Sequence, residues 1–402
     1  MSKEKSNLIT IPKEKWNNTV ESVGWDEERI NNLKIMVVGA GALGNEVLKN
    51  LALLNVGNIF IVDFDHVEYA NLAKSVLYRE EDCGKENLKS SVAARKVQEI
   101  NRQVKVMAFN GDIRSDIGLG VFRRMDAIIG CLDNRLARLM LNRQCFKVGK
   151  PWVDGAIENL SGELTVFMPG TSCYECNLTE EEHKWIHYEL GCFKVAMENL
   201  RLGRIPTTPI SSSIIGAMQV QEALKLAMGN TNKSLAGRKF NYNGMNNVIE
   251  LYELDGLEKG CLSHFHYDPV YEAKELSAEM PLGEVLDWLR QHFKTNDPAI
   301  KLESEIILEV FSRNSEKYYP VMMPHNKFTA EAVEQYMDGV DDEISVSTRD
   351  GMVRKYLDKN FPFLDKPLTE LGIPRLDVMR VIIDGEPQFV ELTGDISFLT
   401  FQ

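Results

Sequence analysis

The stretch KIMVVGAGALGNEVLKN, Lys34 to Asn50, most narrows the folds open to this chain. An apolar run ends in glycine and passes directly into a segment whose Leu43, Val47, Leu51 and Leu54 recur at helical spacing. Such a continuous apolar run predicts a strand buried on both faces, as in a parallel sheet. Gly39, Gly41 and Gly44 form G-x-G-x-x-G across the turn. Glycines there permit a tight turn and let phosphate approach backbone N–H groups at a helix N-terminus. A second strand, IFIVD, closes on Asp63 about 20 residues later, where an acid can bond ribose hydroxyls, and Asp65 follows. The pattern fits a dinucleotide dehydrogenase as well as an ATP user.

The alternation continues downstream. ENLKSSVAARKVQEI reads as a helix, VKVMAF and MDAIIGCLD as strands, RLARLMLNRQCFKVG as a helix, and PWVDGAI and GELTVFM as strands. This order predicts an open, largely parallel α/β sheet. After Cys173-Tyr174-Glu175-Cys176 the pattern turns irregular and polar as far as RIPTTPISSS. A helix, GAMQVQEALKLAMG, and a strand pair around GRKFNYNGMNNVIELYEL follow. Residues 255–281 read as a connection. LGEVLDWLRQHF then sets Leu282, Val285, Leu286, Leu289 and Phe293 on one helical face, before short strands in EIILEVF, VMRVIID and QFVEL. The expected organisation is an N-terminal arm over 1–30, a nucleotide-binding domain over 31–270 and a small α+β domain over 278–402, with 402 residues too many for one ordinary domain.

The formal net charge of −13 argues against nonspecific binding to nucleic acid or to an anionic membrane. No apolar run approaches the roughly 18 residues that a membrane span needs. MSKEKSNLITIPKEKW is too polar for a secretory signal, so a cytoplasmic, reducing setting is expected. The seven cysteines are then free, metal-bound or catalytic rather than disulfide-paired.

The residues after Asp65 separate the two nucleotide readings. Asn71, Lys74, Arg79, Lys85 and Lys89 crowd into a short stretch, and a triphosphate needs such cations where a pyrophosphate on a glycine turn does not. Next, an apolar strand ends in Asp133-Asn134, with Arg138 a turn later. A carboxylate at the carboxyl end of a parallel strand lies on the ligand side of the sheet and could hold magnesium. The plainer alternative makes Lys74 to Lys89 a solvated face and Asp133 a helix N-cap.

In sequence order, GAGALG, IVDFD, NLAKS, DCGKENLKSSVAA and CLDN resemble the ubiquitin-activating-enzyme and ThiF/MoeB superfamily over about residues 30–255. Its members adenylate the C-terminal glycine of a ubiquitin-fold protein. The resemblance implies a Rossmann-like adenylation domain in which Gly39, Gly41, Gly44, Asp63, Asp65, Asn71, Lys74, Lys89 and Asn134 bind ATP. Asp63 would take the ribose, Asn71 and Lys89 the phosphates, with Lys85 the alternative phosphate lysine, and Asp133 the magnesium, with Lys89 and Asp133 acting in catalysis. Lys74 stands where the family carries arginine, and EKWNNTV lacks the arginine that many relatives lend to a partner subunit. A homodimer is expected by resemblance.

Cys173 and Cys176 form C-x-x-C, and one pair needs a second to complete a tetrahedral zinc site. Cys261 and His264 supply C-x-x-H, with His266 as a substitute ligand. A thioredoxin-like redox pair is the alternative. Cys192 lies in the irregular stretch, 177–210, near His187, Lys194, Arg201 and Arg204, which could favour a thiolate. The resemblance makes Cys192 the nucleophile that takes the activated carboxyl as a thioester. Cys83, Cys131 and Cys145 read as packing.

PLGEVLDWLRQHFKTNDPAIKL and KPLTELGIPRLDVMRVIIDG resemble the ubiquitin-fold domain that recruits a conjugating enzyme in many activating enzymes. The expected fold is therefore α/β with a smaller C-terminal α+β, ubiquitin-fold-like domain. The expected function is activation of a ubiquitin-like protein, with ATP, magnesium and zinc, and transfer to a conjugating enzyme. Adenylation of a sulfur-carrier protein without a thioester, a nicotinamide-dependent dehydrogenase and a catalytically silent scaffold are the competing readings.

Overall fold

The computed structural model describes residues 24–184, 207–337 and 344–402. Two compact units make up the chain. One contains residues up to 114, 122–266 and 399–402, and the other contains 115–121 and 267–398.

The first unit is built on one eight-stranded sheet. Its strands are β1 (Lys34–Val38), β2 (Asn58–Val62), β3 (Lys105–Phe109), β4 (Ala127–Gly130), β5 (Trp152–Glu158), β6 (Ser161–Phe167), β7 (Arg238–Asn243) and β8 (Val248–Glu253). They lie in the order β8-β7-β6-β5-β4-β1-β2-β3. The five from β5 to β3 run parallel, while β6, β7 and β8 extend one side antiparallel. Ile35, Met36, Val37 and Val38 are all at most 1% exposed, so the apolar run is a strand covered on both faces. Strand order reverses at β1, which has β2 on one side and β4 on the other. In open α/β sheets the crevice at such a reversal, outside the carboxyl ends of the strands, is where ligands bind.

Four helices matter to the site: α1 (Ala42–Leu53), α2 (Lys89–Ile100), α3 (Arg135–Lys147) and α4 (Pro209–Ala227). Leu43, Val47, Leu48 and Leu51 of α1 share one core with Val92, Ala93 and Val97 of α2 and with Ile215, Val220 and Leu224 of α4. Burying a Leu or Val side chain fully is worth about 1.5–3 kcal/mol, so this face dominates the stability of the unit. Leu141 of α3 lies on the other face of the sheet, against Gly130 and Trp152. Thr208 caps α4 by accepting from the Ser211 N–H, and Pro209 opens that helix, where its missing N–H costs nothing.

In the second unit, β9 (Val270–Ala273), β10 (Ala299–Ser312), β11 (Lys317–Pro324), β12 (Ile344–Val346), β13 (Val353–Leu357), β14 (Val378–Ile383) and β15 (Glu386–Leu392) form a mixed sheet. Its main path is β9-β15-β14-β10-β11, with β12 and β13 also on β10. Leu282, Val285, Leu286 and Leu289 of α5 (Leu282–Phe293) are buried against Ile300, Val381, Val390 and Leu392, as the helical spacing predicts. Residues 255–281 do not form a plain connection. Val270 to Ala273 pair in parallel with Phe389 to Leu392, a partner too distant in sequence for local pattern to reveal.

Candidate functional site

The glycine turn sits at the carboxyl end of β1 and is wedged against the end of β4. Gly39 has φ +97°, and a Cβ there would meet the Cys131 carbonyl oxygen at 2.4 Å. A Cβ on Gly44 would lie 1.9 Å from the Gly39 carbonyl oxygen. Gly41 differs: a Cβ there would meet nothing within 4 Å. As N-cap of α1 it offers no side-chain acceptor, so the first-turn N–H groups of the helix lack a side-chain cap. An uncapped helix start beside a glycine open to solvent suits a phosphate.

Asp63 directly follows β2 and is fastened to this turn. Its carboxylate accepts from the Ala40 N–H at 2.7 Å and from the Asp65 N–H at 2.8 Å. Burial pushes its carboxyl above the ordinary 3.8, against the pull of Lys89 and of those two N–H groups. Lys89 opens α2, is 9% exposed, and donates to Asp65 Oδ2 at 2.7 Å. Its backbone N–H donates to the Asp65 carbonyl at 2.8 Å. Lys85, four residues earlier, is exposed. Of the two lysines, only Lys89 is held behind the acids.

Asn71 is buried, and its Oδ1 accepts from the Glu68 N–H at 2.9 Å in a capping box. Lys74 is half-buried on the turn that follows, its N–H donating to the Asn71 carbonyl at 3.1 Å. Asp133 is exposed just past β4. The N-cap of α3 is Asn134, whose Oδ1 accepts from the Ala137 N–H at 2.7 Å, so Asp133 is not the cap. Arg138, a turn into α3, donates to the Leu132 carbonyl at 2.7 Å and to Asp154 Oδ1 at 3.1 Å.

Several residues that hold the site carried no obvious signal. Asn45 is fully buried; its Nδ2 donates to the Ala40 and Gly41 carbonyls at 2.7 and 2.9 Å, and its Oδ1 accepts from the Leu77 N–H at 2.9 Å. The Tyr78 hydroxyl donates to the Ala40 carbonyl at 2.7 Å. Gln219 of α4 donates to the Gly130 carbonyl at 2.8 Å, bracing the end of β4. A polar residue within the apolar face of a helix is the one signal that could have found Asn45.

A second cluster lies in the same unit. Cys173, Cys176, Cys261 and His264 place their ligand atoms within 4.8 Å of one another. Cys173 Sγ is 3.6 Å from Cys176 Sγ and 3.7 Å from Cys261 Sγ, and Cys176 Sγ is 3.5 Å from His264 Nε2. Tetrahedral zinc, with thiolates at about 2.3 Å and imidazole at about 2.0–2.1 Å, sets its ligand atoms roughly 3.5–3.8 Å apart. The donor set and its spacing fit that ion. His266 is not a substitute ligand: its Nδ1 lies 3.0 Å from the Phe146 carbonyl, and its ring packs against Gly149. Around the cluster, Arg143 is paired with Glu175, which also accepts from Ser263 Oγ, and the His264 ring stacks on Phe146.

Cys145 is buried, whereas Cys83 and Cys131 are half-buried against the core. Cys192, His187, Lys194, Arg201, Arg204 and the EKWNNTV segment lie outside the described residues. No helix among the described residues is long and apolar enough to cross a membrane.

The family model described as "ThiF family" matches residues 17–262, more than half of the chain. SUMO-activating enzyme subunit 2 of Dictyostelium discoideum is 34% identical over 166 residues, covering 40% of this chain and 25% of its own. Adenylyltransferase and sulfurtransferase MOCS3-1 of Zea mays is 30% identical over 236 residues, 58% of this chain and 47% of its own. The sulfur carrier protein adenylyltransferase of Thermus thermophilus is 31% identical over 227 residues, 54% of this chain and 78% of its own. The chain thus spans a quarter to about half the length of the first two relatives.

Proposed function

This chain belongs to the ThiF family, and on that premise we propose that it is an ATP- and magnesium-dependent activating enzyme for a ubiquitin-like protein. One observation carries the reading: Lys89, almost buried, is pinned to Asp65 beside Asp63, behind a glycine turn whose helix start has no side-chain cap. A cation so placed beside the turn can meet phosphate oxygens, and a triphosphate calls for more such cations than a pyrophosphate held on a glycine turn. The nicotinamide alternative rests on the glycine fingerprint alone.

In this reading Asp63 holds the ribose and fixes the α-phosphate over the N–H groups at the start of α1. A carboxylate oxygen at the carrier's C-terminus attacks the α-phosphorus, the bond to the bridging oxygen breaks, and pyrophosphate leaves. Lys89 and the helix N–H groups stabilise the charge that grows on the phosphoryl oxygens. Asp133, exposed at the end of β4, would hold magnesium, which supplies charge neutralisation to the departing pyrophosphate. Cys192 thiolate then attacks the acyl carbon and AMP leaves, giving a thioester. The C-terminal unit would receive the conjugating enzyme. The Cys173, Cys176, Cys261 and His264 set would hold structural zinc.

A second reading stops at the acyl-adenylate and serves a sulfur carrier. The relative named sulfur carrier protein adenylyltransferase, of whose length this chain covers 78%, favours it. Two variants separate the readings. Asp133→Ala should abolish ATP–pyrophosphate exchange under both. Cys192→Ala should leave exchange intact but remove a thiol-sensitive carrier adduct on a non-reducing gel. If wild type forms no such adduct with any candidate carrier, the sulfur-carrier reading stands; if it exchanges no pyrophosphate, both fall.

A further inference from the structure

Asn142 lies in the middle of α3 and is fully buried. Its Nδ2 donates to Ser263 Oγ at 2.8 Å, and its Oδ1 accepts from the Tyr174 N–H and from Trp152 Nε1, each at 3.1 Å. Tyr174 falls between Cys173 and Cys176, and Ser263 falls between Cys261 and His264. One amide therefore joins both arms of the metal cluster to a single helix. The Ser263 proton goes to Glu175 Oε2, so Ser263 Oγ is left to accept from Asn142. Glu175 in turn is paired with Arg143 of the same helix. Burying an amide in a helix is unfavourable unless its donor and acceptor are both satisfied, and here they are. The amino end of that helix is the Asn134 cap beside Asp133, and its second turn begins at Arg138, which grips the Leu132 carbonyl and Asp154.

We propose that Asn142 is a positioning residue that couples the Cys₃His cluster to the nucleotide end of α3. By pinning the helix to both metal-binding arms, it sets the register in which Asp133 is presented. The inference rests on reading that cluster as zinc and Asp133 as the magnesium ligand. An aspartate at position 142 keeps the acceptor for Tyr174 and Trp152 but turns a carboxylate toward Ser263 and Glu175. Ser263→Ala removes the acceptor for Asn142 on the second arm together with the donor to Glu175.

The test uses the full chain as Asn142→Asp and as Ser263→Ala, with circular dichroism to verify folding. Zinc release to a chromophoric chelator and the magnesium dependence of ATP–pyrophosphate exchange are measured in each. Loss of an outer partner of this kind typically weakens metal binding about 10–100-fold, so zinc should leave at least about tenfold faster. The magnesium concentration giving half-maximal exchange should rise in the same variants. Unchanged zinc release overturns the link to the cluster, and faster release with unchanged magnesium dependence overturns the link to Asp133. Should Asn142→Asp fail to fold, Ser263→Ala decides by the same two readouts. Wild type lacking bound zinc or exchange would instead overturn the reading on which the inference rests.

Discussion

At the scale of single residues, Asp63 is the group whose environment bears most on the proposed ribose contact. Burial holds its carboxyl above the ordinary 3.8, with Lys89 and two N–H groups pulling the other way. A carboxyl whose folded pKa is raised favours folding most below 3.8. That contribution is lost as pH rises through the raised value, because the unfolded chain releases its proton first. Nucleotide binding should follow the opposite course, since ribose hydroxyls donate to the ionised form. Urea midpoints of wild type and Asp63→Asn across this window should therefore differ in a pH-dependent way, with wild type losing ground as pH rises. A constant difference would show that Asp63 ionises as it does in water. The residue scale is also where sequence reading reached least far. Asn45 and Asn142 are polar side chains inside apolar helix faces, and only the fully paired surroundings explain them.

At the scale of elements, the turn from β1 into α1 uses its glycines for different reasons. Gly44 has no room for a methyl group, because the Gly39 carbonyl already occupies the space at 1.9 Å. Gly44→Ala should cost about 1–3 kcal/mol or more, as overpacking does, and should appear as a lowered urea midpoint. Gly41 has open space, so Gly41→Ala should keep wild-type stability yet weaken ATP binding by obstructing close approach of phosphate. Titration of nucleotide into the folded Gly41→Ala protein tests this, and unchanged affinity would remove phosphate from the start of α1. Most strands and helices from Lys34 to Phe167 were legible from apolar spacing, but Glu86 to Leu88, read as the start of a helix, belong to a strand, Gly84–Leu88, that pairs with His66–Val67. The short strand at Val270–Ala273 was not legible, since it is made by pairing with Phe389–Leu392.

At the scale of the whole molecule, each unit draws on segments far apart in sequence. Residues 115–121 belong with the second unit and 399–402 with the first. Val106, on the edge strand β3, donates to the Gln402 carbonyl at 2.9 Å and accepts from the Gln402 N–H at 3.3 Å; Gln98 also donates to that carbonyl at 2.8 Å. Removing residues 399–402 should leave the Val106 amide without a protein acceptor and speed its hydrogen exchange by about tenfold or more, as local opening does, while the strand cores stay protected. An unchanged Val106 rate would mean that the pairing does not protect this edge. A truncation meant to isolate the first unit must therefore keep or replace this segment.

By itself the sequence determined a glycine turn between a buried strand and a helix, an acid closing the next strand, and two short Cys/His pairs. These are local features, fixed by spacing and by what each residue type can do. Tertiary structure decided which distant groups meet. It set Lys89 rather than Lys85 behind the acids, and it made Asn134 rather than Asp133 the helix cap. It also brought Cys261 and His264 to Cys173 and Cys176 while sending His266 to the Phe146 carbonyl. Those choices depend on long-range packing and on satisfying buried polar groups, and spacing along one chain cannot encode either.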